Sequence, residues 1–304
     1  MSEYHIPVML DESVSALVQN PDGIYADATF GGGGHTAGIL SRLHDGGRVI
    51  AFDRDIDALG NAPDDPRLTL IHNNFRFIEN FARKEGVVFD GILADLGVSS
   101  HQFDTAGRGF SFRFEDAPLD MRMNDRGRTT AADIVNTRSE EDLERILRLY
   151  GEVDGARQVA RLIVAAREQE PIRTTGELDR AIARILPKFG EHKVLAKVYQ
   201  ALRIEVNQEM RSLEKFLEGA AASLREGGRL VGITYHSLED RMVKNFIRTG
   251  RVDGLQEKDL YGRVTTPLEA VNRKPILPAE SEIASNTRAR SAKLRIAEKR
   301  REEA

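Results

Sequence analysis

Residues 24–35 read IYADATFGGGGH: a short apolar run ending near an acid, then four successive glycines, then the opening of a helical pattern. Few folds accommodate that order. Glycines lack the side chains that hold backbone away from a ligand, and a helix that follows them offers free N–H donors at the same place. Apolar runs recur at 48–53 (RVIAFD), 68–72 (LTLIH) and 90–95 (DGILAD), and helical patterns at 35–44, 55–61 and 75–85 separate them. Strands alternating with helices predict a parallel sheet. Ligands of such sheets sit outside the carboxyl ends of the strands, near the point where strand order reverses, and three runs here end at acids: Asp27, Asp53 and Asp95.

After Asp95 the pattern changes. Residues 97–128, rich in Gly, Ser, Arg and Phe, predict a long functional loop, and residues from about 129 to 203 carry only helical patterns. Those helices are expected over 139–150 with Ser139 as N-cap, over 155–169, over 175–186 and from 192 onward. Strand and helix then alternate again: a helix over 208–225 stopped by Gly227-Gly228, a buried strand over 229–235, and an edge strand in which Ala292, Leu294 and Ile296 alternate with Lys293, Arg295 and Ala297. The expected fold is α/β, a doubly wound Rossmann-like sheet built from 1–103 and 204–304 and interrupted by an all-helical domain at 104–203.

Composition narrows the function. With 40% hydrophobic residues in 304, the chain can bury a core for about two domains. It has no cysteine, which excludes disulfides, thiolate metal sites and a cysteine nucleophile. Its seven histidines include no i,i+4 pair on a helix, so no metal site is expected. The start MSEYHIPVMLDE lacks a basic or apolar leader, and no uncharged apolar run nears the roughly 18 residues of a membrane helix, so a soluble cytoplasmic protein is expected. A net charge of -4 argues against a uniformly basic nucleic-acid surface, yet residues 285–304 hold seven basic against three acidic side chains. That basic segment fits either a solvated face or an RNA contact.

The strand ends point to a nucleoside cofactor. Asp53, 18 residues past His35, is where a ribose hydroxyl would find a charged acceptor, although Asp53 or Asp55 would equally cap a helix. The dinucleotide fingerprint fits Gly32–Ala37 only loosely. An acid at Asp27 would repel a pyrophosphate and suits a cationic cofactor with an amino-acid end, such as S-adenosylmethionine. Phe75 is placed either to pack on an adenine or to pack a helix.

Seven segments carry a resemblance: HIPVMLDE (5–12), DATFGGGGH (27–35), DGILADLGVSS (90–100), RGFSFRFEDAPLDMRM (108–123), YQALRIEVNQEM (199–210), YHSLEDR (235–241) and RARSAKLRIAEK (288–299). They span the chain and closely resemble the ribosomal RNA small subunit methyltransferase H, or MraW, family. The resemblance implies a class I methyltransferase that uses S-adenosylmethionine to methylate the exocyclic N4 amine of a cytidine in the decoding region of bacterial 16S rRNA, free or in the small subunit. It also implies that Gly33, Gly34, His35, Asp53, Phe75, Asp95 and Gln102 bind the cofactor.

Amine methylation needs an acceptor for the departing proton, a dry pocket and close alignment. Asp95 is the candidate catalytic acceptor, or is equally suited to full engagement with the cofactor. The proline-proline-aromatic sequence that follows the corresponding acid in many amino-group methyltransferases is absent, since Asp95 leads into Leu96-Gly97-Val98-Ser99-Ser100. His236, Ser237 and Glu239, after the fifth strand, are further candidates at the same crevice, with His236 equally suited to packing or capping. The loop 108–114 interleaves Arg108 and Arg113 with Phe110, Phe112 and Phe114, a composition that can pair phosphates and stack a base, or dock the loop on a core. Arg108, Phe112, Arg113 and His236 are the candidate substrate contacts, and 139–203 could alternatively serve structure or a homodimer. A nicotinamide-dependent oxidoreductase and a nonenzymatic RNA-binding assembly factor are the competing classes.

Overall fold

The computed structural model describes residues 7–114, 116–125, 127–258, 262 and 266–301, apart from the side chains of Ser100 and His101. Residues 5 and 6 of the first resembling segment, Glu115 of the fourth, and Glu302 and Glu303 of the basic segment lie outside the described residues. The chain forms two compact units, Met1–Gly97 with Met210–Ala304, and Val98–Glu209. The expected boundaries at 104 and 203 therefore sit about six residues inside the observed ones, and Gln102 belongs to the second unit.

In the first unit, α1 (Leu10–Leu17) precedes β1 (Ile24–Asp27), α2 (Gly34–Leu40), β2 (Arg48–Asp53), α3 (Ile56–Leu59), β3 (Leu68–His72), α4 (Ile78–Glu85) and β4 (Phe89–Asp95). The second unit holds α5 (Ser100–Asp104), α6 (Ala131–Thr137), α7 (Glu140–Gly151), α8 (Ala156–Gln169), α9 (Thr175–Ile182) and α10 (Glu191–Asn207). The chain then returns through α11 (Glu209–Ser223), β5 (Leu224–Thr234), α12 (Ser237–Thr249), β6 (Leu268–Ala270), α13 (Glu280–Ser285) and β7 (Lys293–Lys299). Among the described residues no helix is long and apolar enough to cross a membrane.

The strands form one sheet ordered β3-β2-β1-β4-β5-β7-β6. The first five run parallel, and β7 is antiparallel to both its neighbours. Order reverses between β1 and β4, which places the ends of those two strands side by side. Because successive side chains point to opposite faces, neighbouring apolar residues feed different cores. Tyr25, Val49, Leu93 and Val231 pack with Val14 and Leu17 of α1 and Ile39 of α2. Ala26, Ile50, Ile92 and Leu230 pack with Ile78 of α4, Phe216 of α11 and Phe246 of α12. A sheet covered on both faces needs apolar side chains in both directions, which is why these strands read as unbroken apolar runs.

The second unit has a separate core, in which Leu143, Ile146 and Leu147 of α7 meet Val159 and Ile163 of α8, Leu178 and Ile182 of α9, and Val198 and Leu202 of α10. Three of its helices, α6, α7 and α9, begin where side chains satisfy free N–H groups, whereas α8 and α10 begin at Gly155 and Gly190. Ser139 caps α7, and the capping boxes Thr130/Asp133 and Thr174/Glu177 open α6 and α9. Residues 97–128, expected as loop, include α5 and a short 3-10 turn at Ala106–Arg108.

Two expectations change at the far side of the sheet. The Gly227-Gly228 pair does not stop a helix: α11 ends at Ser223 and the glycines form a bulge within β5, opposite the register shift between Phe89 and Gly91. Gly227 has φ +73, and a Cβ on Gly228 would lie 2.9 Å from the Arg225 carbonyl and 3.1 Å from those of Phe89 and Asp90. Likewise β7 is not an edge, because the three-residue β6, too short to show a period in the sequence, covers it.

The basic C-terminal segment is consequently part of the fold. Arg295, 8% exposed, donates from Nε and Nη2 to the two carboxylate oxygens of Asp240 on α12 at 2.7 and 3.1 Å, and Lys293 Nζ stands 3.6 Å from the same group. The Lys299 ammonium donates to the Ala221 carbonyl. Removing one partner of a buried pair strands the other, so Arg295→Ala should cost about 2–4 kcal/mol in urea denaturation, with Arg295→Lys recovering part. A loss below about 1 kcal/mol would mean that water already satisfies Asp240.

Candidate active site

The carboxyl ends of β1, β2 and β4 converge beside the glycine turn. Phe30 N–H donates to the Phe52 carbonyl at 2.9 Å and Gly33 N–H to the Phe30 carbonyl at 2.7 Å, which fixes the turn between β1 and α2. Gly31 and Gly33 have φ +52 and +77, a region that costs other residues strain, and a Cβ on Gly33 would meet the Phe30 ring at 2.9 Å. Gly34 opens α2, and a Cβ there would meet Pro7 at 2.9 Å.

The three strand-end acids are held differently. Asp27 is fully buried, its Oδ1 accepting from Thr29 N–H at 3.0 Å and its Oδ2 from the Thr36 hydroxyl at 2.7 Å. Asp53 accepts from Gly31 N–H and Asp55 N–H, each at 2.8 Å, and burial pushes its carboxyl above the usual range. A carboxylate has about four lone-pair positions, so Asp53 retains capacity for hydroxyl donors. Asp55, the alternative cap, does accept from Asp57 N–H at the start of α3.

Asp95 is the least satisfied. Its backbone N–H donates to Thr29 Oγ1 at 2.7 Å and its Oδ1 accepts from the Tyr235 hydroxyl at 2.6 Å, while Oδ2 faces His35 Nδ1 at 3.8 Å. Burial, opposed by His35 and the Tyr235 hydrogen bond and reinforced by the charges of Asp27 and Glu239, pushes its carboxyl up to about 6. Sequence reasoning missed Tyr235. It was visible as the first residue of YHSLEDR, but nothing along the chain says that a residue after β5 reaches the end of β4. Gly97, φ +132, makes room for it: a Cβ there would stand 3.0 Å from the Tyr235 ring.

Other candidates divide. His35 is buried, with Nε2 3.0 Å from the Val8 carbonyl, so its ring belongs to the wall of the crevice. Phe75 is half-buried and packs edge-on against Phe216 at 5.1 Å. His236 caps α12 in a box with Glu239, and its Nε2 lies 3.0 Å from Glu239 Oε1. In the second unit Gln102 is buried and exchanges hydrogen bonds with Ser99. The Arg108 guanidinium donates to the carbonyls of Arg122 and Met123 at 3.1 and 3.3 Å, so it braces its own loop. Arg113 is exposed, its guanidinium 5.4 Å from the centre of the Phe103 ring. Phe110 is buried in the helical core, whereas Phe112 is half-buried, stacked on His192 and edge-on to Tyr199.

A seven-stranded sheet of this order, with β7 antiparallel and acids at the ends of β1, β2 and β4, defines a Rossmann-like class I methyltransferase fold. The chain belongs to the MraW methylase family, whose model matches residues 2–300. Among curated relatives, a Bacteroides fragilis protein named ribosomal RNA small subunit methyltransferase H is 56% identical over 298 residues, covering 98% of each chain. Proteins of the same name from Flavobacterium johnsoniae and Christiangramia forsetii are 53% and 50% identical, covering 98% of this chain and 98% and 99% of theirs.

The cofactor is S-adenosylmethionine, and the residues fit it. Gly31, whose Cβ position meets nothing nearer than the Thr29 carbonyl at 3.8 Å, leaves backbone bare for close approach, Asp53 has acceptor capacity for ribose hydroxyls, and an Asp95 carboxyl raised by burial would be relieved by a cation.

The sign of the Asp95 shift sets a pH dependence. A carboxyl at about 6 in the folded state and about 4 when unfolded binds extra proton when folded, so stability falls as pH rises across that window. Asp95→Asn removes this loss. The apo variant should equal the parent near pH 4 and exceed it by at most ~3 kcal/mol above pH 7, read from urea denaturation at each pH. A pH-independent difference would mean that Asp95 is not destabilised by ionisation.

Proposed function

We propose that this chain methylates the exocyclic N4 amine of a cytidine in the decoding region of small-subunit rRNA. One observation carries the reading: at the end of β4, Asp95 commits one oxygen to Tyr235 and, among the described residues, takes no hydrogen bond on the other. An aromatic amine must shed a proton as it gains a methyl group, and this oxygen is the acceptor suited to it. The names of the relatives support the RNA substrate, and the resemblance of the seven segments supports the cytidine N4 position.

S-adenosylmethionine supplies a methyl group activated on a sulfonium sulfur. Gly34 and His35 would lie along it through backbone N–H groups at the start of α2, with Gly33, its N–H held by the Phe30 carbonyl, shaping the turn beside it; Asp53 would accept from its ribose, and Phe75 would lie against its adenine. Asp27, fully buried, would act through its charge. The second unit, which holds Gln102, serves RNA recognition. Arg113 is the phosphate-pairing candidate, with Phe112 as a stacking surface and His236 as a contact beside the acceptor, whereas Arg108 supports the loop.

Labelled methyl transfer to free rRNA and to small subunits, followed by mapping of the modified nucleotide, tests the substrate; label at a position other than a cytidine amine would overturn it. Asp53→Ala should weaken cofactor binding by about 1–3 kcal/mol in calorimetry and Asp53→Asn by less, since the amide oxygen still accepts. Unchanged affinity in the folded alanine variant would remove the ribose from the end of β2. Arg113→Ala should lower the salt slope of RNA binding by about one unit without altering cofactor affinity. Arg108→Ala should instead lower the melting temperature, and an altered slope with unchanged melting would reverse the two roles.

A further inference from the structure

The proposed chemistry leaves open which oxygen of Asp95 works, and the hydrogen bonds around it differ between the two. Thr29 Oγ1 receives the Asp95 N–H at 2.7 Å, which anchors the residue at the end of its strand. Oδ1 lies 2.6 Å from the Tyr235 hydroxyl. Burial pushes that phenol well above its ordinary range, with the charge of Asp95 acting in the same direction, so it remains a donor at any working pH. The ring is locked between Gly97 and the core that includes Leu294 and Ile233, and its backbone N–H donates to Glu239 Oε2 at 3.0 Å. Oδ2 has a different neighbour. Val8 offers His35 Nε2 only a carbonyl oxygen, at 3.0 Å, so Nε2 carries a hydrogen and Nδ1 is the ring atom turned toward Oδ2, 3.8 Å away.

We infer that Tyr235 is a positioning residue that commits Oδ1 of Asp95 to the protein, leaving Oδ2, beside His35, to take the proton of the substrate amine. The inference rests on the amine methylation proposed above. In that reaction the amine lone pair forms a bond to the methyl carbon, and the carbon–sulfur bond breaks with its electron pair kept by sulfur. The nitrogen, now cationic, gives up one N–H proton to Oδ2, its bonding pair returns to nitrogen, and ionised Asp95 becomes the neutral acid. A proton on Oδ2 then stands on the His35 side of the carboxyl, away from the oxygen held by Tyr235. The groups facing Asp95 are His35 on α2, Tyr235 after β5, Asp27 on β1 and Glu239 on α12; the two carboxylates favour proton uptake, while Tyr235 and His35 favour release. Tyr235 thus fixes both the direction of the acceptor and the pH at which it is ready. It also supplies an aromatic at the end of β4 from the neighbouring strand, where the sequence after Asp95 carries none.

Y235F tests this in two measurements. In the apo protein labelled with 13C at aspartate carboxyls, with D95N identifying the resonance, the Asp95 midpoint should rise by about one unit in Y235F. Methyl transfer to rRNA by Y235F should fall about 5-fold at pH 6 and about 2-fold at pH 7, match the parent by pH 9, and leave the KM for S-adenosylmethionine within about twofold. Incorporating fluorotyrosine at 235 keeps the ring and strengthens the donor, so the midpoint should fall; this variant decides the matter if Y235F does not fold. A midpoint that stays in place, or a rate loss equal at every pH, overturns the inference. A parent that transfers no methyl group to rRNA overturns the substrate reading and with it the proton assignment to Oδ2, whereas failure of Tyr235 alone shows as an active parent with an unmoved Asp95 titration.

Discussion

Holding a half-buried carboxylate with few donors at the end of β4 is the constraint around which the first unit is arranged. Ionised groups taken out of water cost several kcal/mol unless donors face them, and two of the three strand-end acids meet that demand on both oxygens while the third meets it on one. Asp27 has both oxygens satisfied by Thr29 and Thr36, Asp53 has two backbone donors, and Asp95 has one hydroxyl. The glycine turn, the start of α2 and the end of β5 each contribute one of these donors. The crevice is therefore polarised: each carboxylate oxygen on its β1 and β2 side has one donor, and one oxygen on its β4 side has none among the described residues.

The parallel half of the sheet was legible because its physics is local. Tyr25-Ala26, Val49-Ile50 and Ile92-Leu93 are consecutive apolar pairs because each residue faces a different core, and that pattern needs no knowledge of partners. Helix starts at Ser139 and Thr174 were equally readable or nearly so, since a cap is a property of three or four neighbouring residues. What failed to read was what depends on distant chain. Gly227-Gly228 looks the same whether it ends a helix or bulges a strand, and only pairing with Phe89 and Gly91 decides. Arg108 and Arg113 have the same local composition, yet one finds carbonyls in the segment that follows and the other remains exposed. Tyr235 needed the adjacency of β4 and β5, which no periodicity reports.

Each unit carries its own apolar core, so the insertion is a folded body rather than an enlarged loop. Its helices are closed by caps and by side-chain bonds to backbone, such as Asn207 Nδ2 to the Met121 carbonyl at 2.8 Å, that tie the loop after α5 to the end of α10. A loop held in this way can present Arg113 and Phe112 at fixed positions.

The placement of β7 between β5 and β6 has a consequence for biosynthesis. A ribosome emits Val98–Glu209 as a finished helical core while the sheet is still incomplete. When β5 emerges it finds β4 waiting, but its other edge stays bare until Lys293–Lys299 follow, and β6, made earlier, has no strand to join until then. Exposed strand edges recruit other chains, so the interval between synthesis of β5 and β7 is when this polypeptide is most vulnerable to association with its neighbours on a polysome. The charged side chains Lys293 and Arg295 travel in the strand that closes the gap, and Asp240 on α12, already made, is there to receive them.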